Sequence, residues 1–223
     1  MRVINKTYRF RICPDKEQEV LLNKHFGCSR FVYNYFLNER KEQYQKNKKS
    51  DNYYAQAKTL TDLKKQEDTI WLKEVNSQTL QFALRSLDTA YVNFFRGNAQ
   101  FPKFKSRKHK NTFTVPQFGK LEDGKIILPK FKGGIKVKLH REVKGEIGKM
   151  CITKTTTGKY YVSIFTEQRI EDLPKTNKQV GIDLGLKDFV ITSDNKKFKN
   201  NRCTITTYFT RAIGRATKYD LWS

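Results

Sequence analysis

The sequence predicts an α+β chain in which a helical block separates one N-terminal strand from the strands it pairs with. Three observations predict it. Apolar residues alternate with period two over 2–12. Between 14 and 100 they recur at spacings of three and four, the period of a helix. After residue 110 come short β-branched runs separated by glycine-containing turns. A lone strand needs a partner ladder, so residues 2–12 are expected to join the later strands in a small split β-barrel. The expected domains are 1–13 and 101–174 for the barrel, 14–100 for a helix-turn-helix-like insertion, 178–199 for an α/β fragment and 200–223 for an atypical tail.

In the first strand Ile4, Tyr8, Phe10 and Ile12 share one face, with Asn5, Thr7, Arg9 and Arg11 on the other. Pro14 then opens a helix, as proline is tolerated in a first turn. Val20, Leu21 and Leu22 supply its buried side, and Gly27 is its expected stop. A second helix is expected over 30–45, with Phe31, Tyr35 and Phe36 toward a core, and a third near 55–66. Asn76 or Ser77 caps the longest helix, which runs to Arg96 before Gly97. Its stripe of Leu80, Ala83, Leu84, Leu87, Ala90, Tyr91 and Phe94 is explained by core packing. Gln81 and Arg85, one turn apart on another side, fit either a solvated face or contacts to base edges and phosphates.

From Phe101 to Lys110 aromatic residues interleave with cations, and Pro102 argues against a helix. This pattern reads as a basic connector whose aromatics are able to stack on unpaired bases. Strands are expected around 112–115, 125–128, 135–139, 149–155 and 160–166, the last two forming a hairpin turned by Gly158. Residues 173–178 read as a linker.

The charge balance narrows the choice of partner. Lys+Arg 45 against Asp+Glu 22 gives a net charge of +23. Such an excess favours a polyanion, nucleic acid by default. Anionic lipid is the other class, but there is no apolar run of transmembrane length and no signal-peptide core, so a cytoplasmic, nucleoid-associated protein without a membrane partner is expected. Cys13, Cys28, Cys151 and Cys203 lie too far apart for a zinc ribbon, so no zinc is expected. His25, His109 and His140 are equally scattered and read as surface or internally satisfied side chains.

The stretch Val180 to Ser193 reads as two short apolar strands joined at Gly185, with Asp183 in the first. A buried aspartate must be hydrogen-bonded, paired or metal-bound. A turn-capping role at the strand end fits the spacing equally well.

The residues Gly181-Ile-Asp-Leu-Gly-Leu-Lys-Asp-Phe189 resemble the first RuvC motif of the OrfB/TnpB-type transposon-encoded nucleases, relatives of the type V CRISPR effectors. Actin-like ATPases carry a similar short turn, so the order of further landmarks matters. Arg11-Ile-Cys-Pro14, Gly27-Cys-Ser-Arg-Phe-Val-Tyr-Asn34, Leu80-Gln-x-Ala-Leu84, Ala90-Tyr-x-Asn-Phe-Phe95 and Phe101-Pro-Lys-Phe-Lys105 resemble that family in sequence order. The resemblance implies a wedge barrel split by a recognition insertion, then an RNase H-like (RuvC) domain. It implies guide RNA and double-stranded DNA as partners. It marks Tyr54, Ser77, Gln81 and Thr114 as candidate readers of a short DNA motif, with Arg85, Lys103, Lys105, Arg107 and Lys108 as candidate backbone contacts.

Asp183 is the one matched RuvC carboxylate. The family uses magnesium held by three, and Asp188, Asp194 and Asp220 are weak substitutes on spacing. The expectation is a truncated, cleavage-incompetent binder, with association with an intact family member as a route to the missing acids. A general RNA-binding module, or a non-functional remnant, is the alternative. Residues 178–223 are expected to be loosely ordered or to need a partner, because so few strands leave apolar edges bare.

Overall fold

A computed structural model describes residues 2–49, 51–108, 111–171 and 179–200. The chain divides into two units, residues 1–172 and 173–223. In the first, β1 (Arg2–Cys13) leads into helices α1 (Lys16–Asn47), α2 (Tyr53–Leu63) and α3 (Ser77–Phe95), with a 3-10 segment over Glu67–Glu74 between the last two. Strands β2 (Asn111–Val115), β3 (Lys120–Glu122), β4 (Lys125–Ile127), β5 (Ile135–Lys138), β6 (Glu146–Lys154) and β7 (Tyr160–Ile170) follow. Together with β1 they form one seven-stranded antiparallel sheet in the order β2-β6-β7-β1-β5-β4-β3.

The early strand thus lies inside a sheet otherwise built from residues more than 100 positions later. Its alternation sets the register. Tyr8, Phe10 and Ile12 are buried while Arg9 and Arg11 face out, and Phe10 stands opposite Val162. Phe113 and Val115 of β2 and Ile126 of β4, from opposite ends of the strand order, enter the same apolar cluster. At the β6–β7 turn Gly158 adopts φ 77°, the left-handed conformation that glycine takes without steric cost. The sequence pattern did not reveal β3, a three-residue strand with charged ends.

Where two helices are expected to meet at Gly27, the structure has one uninterrupted 32-residue helix. It starts two residues later than a Pro14 opening, at Lys16: Asp15 is the cap, its carboxylate accepting from Gln18 N–H at 2.8 Å while Gln18 Oε1 accepts from Asp15 N–H. The helix continues through glycine because packing holds it on both sides. Leu22 and Phe26 enter the sheet cluster; Val32, Phe36 and Leu37 enter a second cluster with Leu60, Leu72, Leu80, Leu84 and Leu87. Mid-helix glycine costs about 1 kcal/mol relative to alanine, which burial of these side chains, at roughly 1.5–3 kcal/mol each, outweighs. Val20 and Tyr35, expected inside, are exposed. The α3 stripe follows the expected spacing, with Leu80, Ala83, Leu84, Leu87 and Tyr91 buried, although α1 is the longer helix.

His25 joins the clusters. It is fully buried, with Nδ1 2.8 Å from the Leu21 carbonyl and Nε2 3.2 Å from the Asn76 amide. The amide must donate, so Nε2 accepts and Nδ1 carries the proton. Phe113 and Phe131 pack against the ring at centroid distances of 5.0 and 5.1 Å. Burial pushes its pKa below the ordinary value, and the charge of Lys130 adds to this. The unfolded chain therefore takes up this proton first. The stabilising effect is fully present above about pH 6.5 and is lost as pH falls toward the folded value, at up to ~1.4 kcal/mol per pH unit. Melting temperature is expected to fall between pH 7.5 and 5.5, and to fall less in His25→Gln. An equal fall in both proteins would show that another group is responsible.

The second unit is described over 179–200. Here β8 (Ile182–Asp183), β9 (Asp188–Thr192) and β10 (Lys197–Lys199) form a three-stranded antiparallel sheet. As expected of so few strands, apolar residues stand open: Ile182, Leu184, Leu186, Phe189 and Phe198 are all more than half exposed, with Val190 and Ile191 half-buried. Among the described residues no helix is long and apolar enough to cross a membrane. His109, Cys203, Asp220, the 173–178 linker and the tail beyond Asn200 lie outside the described residues.

Candidate nucleic-acid interface

The start of α3 organises the first cleft. Asn76 caps the helix through Gln78 N–H (2.9 Å) and is itself held by His25. Gln78, Gln81 and Arg85 then follow at helical spacing and line a cleft of about 180 Å³ with Tyr53, Pro116 and Gln117. Gln78 Nε2 donates to Gln117 Oε1 at 3.3 Å, bridging the helix to the β2–β3 loop. Its Oε1 is buried without a donor among the described residues, an unmet acceptor in a cleft-lining side chain. The Arg85 guanidinium lies 5.3 Å from the Tyr53 ring centroid, a cation–π contact that orients it without neutralising it. Amide and guanidinium groups so arranged are the side chains that read base edges bidentately.

Of the expected motif readers, only Gln81 lines this cleft. Tyr54 projects into solvent at 79% exposure beside Tyr53. Ser77 is exposed and its hydroxyl accepts from Lys64 Nζ at 3.1 Å, an ammonium whose pKa burial pushes down. Thr114 is half-buried on β2 opposite Cys151, two residues before Pro116. Sequence reasoning missed Tyr53 and Gln117. Nothing local marks them, because folding brings them to α3 from separate segments.

A second, larger cleft of about 560 Å³ forms between α1, the 101–108 connector and the β6–β7 hairpin. Arg30, Arg107, Lys108 and Lys154 line it. Arg30 Nη1 donates to Asn111 Oδ1 at 2.9 Å, and Lys154 Nζ to Asn23 Oδ1 at 3.0 Å. The acceptors are neutral amides, so the positive charge stays. Lys103 is exposed nearby in sequence.

Lys105 is held by protein partners of its own. The Asn34 amide clamps its backbone at both ends (2.9 and 2.8 Å), and its Nζ sits 3.9 Å from the Tyr33 ring centroid. Burial there pushes the ammonium pKa down. The side chain thus rests on Tyr33 within a residue that stays exposed. The connector aromatics are likewise engaged: Phe101 meets Tyr91 and Phe94 edge-on at 5.6 and 5.2 Å, and Lys41 Nζ lies 4.9 Å from the Phe104 ring centroid. Each ring has a protein contact on one side and stays open on another, Phe101 at 39% and Phe104 at 50% exposure.

Asp183 is exposed at the end of β8, opposite Ile191. Asp188 begins β9 opposite Lys199. Asp194 is a turn residue paired with Lys196 at 3.0 Å, and hydrogen bonds from Thr192 and Lys196 hold its carboxyl below the usual range. Among the described residues no three His, Cys, Asp or Glu side chains gather as a cation site. A single exposed carboxylate does not fit a pair of magnesium ions, which need several acids to hold them, so no metal-dependent step is assigned to it. Cys13, Cys28 and Cys151 are free thiols, and burial pushes Cys28 up to about 11.

A helix-turn-helix domain model of the OrfB/IS605 type matches residues 1–49, although the structure there is β1 followed by the single helix α1. InsQ of Escherichia coli (strain K12), named as a candidate RNA-guided DNA endonuclease, is 34% identical over 197 residues, 87% of this chain and 48% of that protein. A protein of Streptomyces pristinaespiralis with a corresponding name is 31% identical over 90% of this chain and 51% of its own length. The virulence protein VsdF of Salmonella dublin is 39% identical over 107 residues, 44% of this chain and 89% of that protein. A solved structure titled as a Cas12f1-sgRNA-target DNA complex aligns with 97% of this chain and 62% of that one, at 12% identity and a TM-score of 0.40; at that score no elements are equated. The chain spans about half the length of the endonuclease-named relatives it matches. By the family-model match, these identities and the ordered landmarks, the chain belongs to the OrfB/TnpB family of transposon-encoded proteins.

Proposed function

We propose that this chain binds a guide RNA and a double-stranded DNA target, acting in the cytoplasm at the nucleoid. In this reading β1 and 101–174 are the wedge barrel, 14–100 the recognition insertion and 178–199 the opening of a RuvC fragment. The observation that carries it is the cleft at the start of α3, where Gln78, Gln81 and Arg85 converge beside Gln117 with no carboxylate among the lining residues. The names of the relatives support it, as does the antiparallel sheet that receives β1 across the helical insertion. Base pairing with the guide would supply sequence choice, and the cleft would read a short flanking motif.

The test uses duplexes with a guide-matched segment and randomised flanks, offered to the RNA-loaded chain. Selection should enrich a short flanking motif. Gln81→Ala with Arg85→Ala should erase that enrichment and weaken duplex binding by about 30-fold or more, since two good base contacts at roughly 1–3 kcal/mol each sum to at least about 2 kcal/mol, while RNA loading stays unchanged. RNA loading without enrichment of any duplex in the parent would identify a general RNA-binding module instead.

A further inference from the structure

Gly27 poses a problem that packing does not solve. It lies inside α1, where almost any other residue makes a better helix. Its φ is not positive, so the backbone does not demand glycine. A Cβ added there would meet nothing within 4 Å, so no neighbouring protein segment demands it either. The missing side chain leaves room in the 560 Å³ cleft, where Gly27 lies one turn before Arg30, and in a neighbouring hollow along α1 that also holds Glu39 and Glu42. Arg107 and Lys108 line the 560 Å³ cleft from the connector, and Lys154 with Thr155 and Thr156 from the β6–β7 hairpin.

The four cations there have no acidic partner among the described residues, and no carboxylate lines the cleft. Like charges brought together this way repel unless an anion joins them. Phe26, the one aromatic side chain in the lining, is buried in the sheet cluster. Bases therefore find no platform and the attraction is to backbone. The remaining lining is neutral and hydrogen-bonding: Asn23, Asn111 and the two threonines. Amides and hydroxyls of this kind suit a 2′-hydroxyl, which both donates and accepts.

The geometry points to a site for the backbone of a single RNA strand, held without regard to sequence, in which bare Gly27 lets a phosphodiester descend onto α1 between the cations. It rests on the nucleic-acid reading above and adds to it the place where RNA is gripped.

The test uses the full chain with a short oligouridylate, an oligodeoxythymidylate of equal length and a DNA duplex of unrelated sequence. Gly27→Ala is expected to raise the melting temperature yet weaken oligouridylate binding about tenfold. Arg107→Gln with Lys108→Gln should flatten the dependence of log affinity on log salt by about 1.4, two phosphate contacts at roughly 0.7 each. Losses should be largest for oligouridylate and smallest for duplex. A lower melting temperature in Gly27→Ala would show a packing role and overturn the inference, as would unchanged oligouridylate affinity or slope. An equal loss for the deoxy strand would overturn the RNA assignment. If the parent binds oligouridylate and the cleft variants match it, the cleft alone is wrong, because the function proposed above is scored at Gln81 and Arg85. If the parent binds no RNA, both readings fall.

Discussion

Replacing Arg40 by methionine is expected to lower the unfolding free energy by about 2–3 kcal/mol, with a shifted urea midpoint and an unchanged slope. Arg40 is 4% exposed and ties the three helices together. From α1 its Nη2 pairs with Asp88 of α3 at 2.8 Å, and its Nε donates to Gln56 of α2 at 2.9 Å. Its guanidinium also lies 4.9 Å from the Tyr91 ring centroid. Gln56 is fully buried and spends its Nε2 on the Phe36 carbonyl at 3.2 Å and on Glu39. Removing the guanidinium strands Gln56 Oε1 without a partner, which carries most of the loss. Asp88 is 35% exposed and recovers water, so the full cost of an orphaned buried charge does not apply. The control is Lys24→Met, which breaks a pair with Glu74 whose side chains are about half exposed and should cost under ~1 kcal/mol. If the control destabilises as much as Arg40→Met, the helical block is not held together at Arg40.

What the sequence showed and what it hid divide along a physical line. The β1 alternation and the α3 stripe were legible because each buries one face, and a one-residue slip would turn the whole set outward. Gly158 was legible because a tight turn constrains its own backbone. Gly27 misled because glycine's preference for helix ends is local and weak, whereas the residues on both sides are held by two separate cores. The protein contacts of Phe101, Phe104 and Lys105 were hidden because interleaved aromatics and cations read alike whether or not one face of each packs on a neighbour. Tyr53 and Gln117 were invisible for a different reason: their meeting with Gln81 is a product of tertiary structure, with no trace in spacing. At Asp183 an apolar run was expected to mean burial, yet the strand it forms pairs with β9 while its side chains stay open.

The same reasoning limits which cations matter. A net charge of +23 over 223 residues says that a polyanion is attractive, but not where it sits. Lys24, Arg40, Lys65, Lys120, Lys144 and Lys196 are paired with acids, and Lys105 is turned onto Tyr33. Of the remaining cations Arg30, Arg107, Lys108 and Lys154 converge on one cleft, none of them in an ion pair among the described residues, while Arg85 lines the other cleft. If these four cleft cations grip a strand at four phosphates, binding must release counterions in proportion, at roughly 0.7 per phosphate for a single strand. The most direct measurement is therefore oligouridylate affinity across a salt series. The expected slope of log affinity against log salt is about −3, so that a fourfold rise in salt weakens binding roughly 50-fold. A slope shallower than about −1 would mean at most one or two phosphates are held, and the account of this chain as a grip on nucleic-acid backbone would be contradicted.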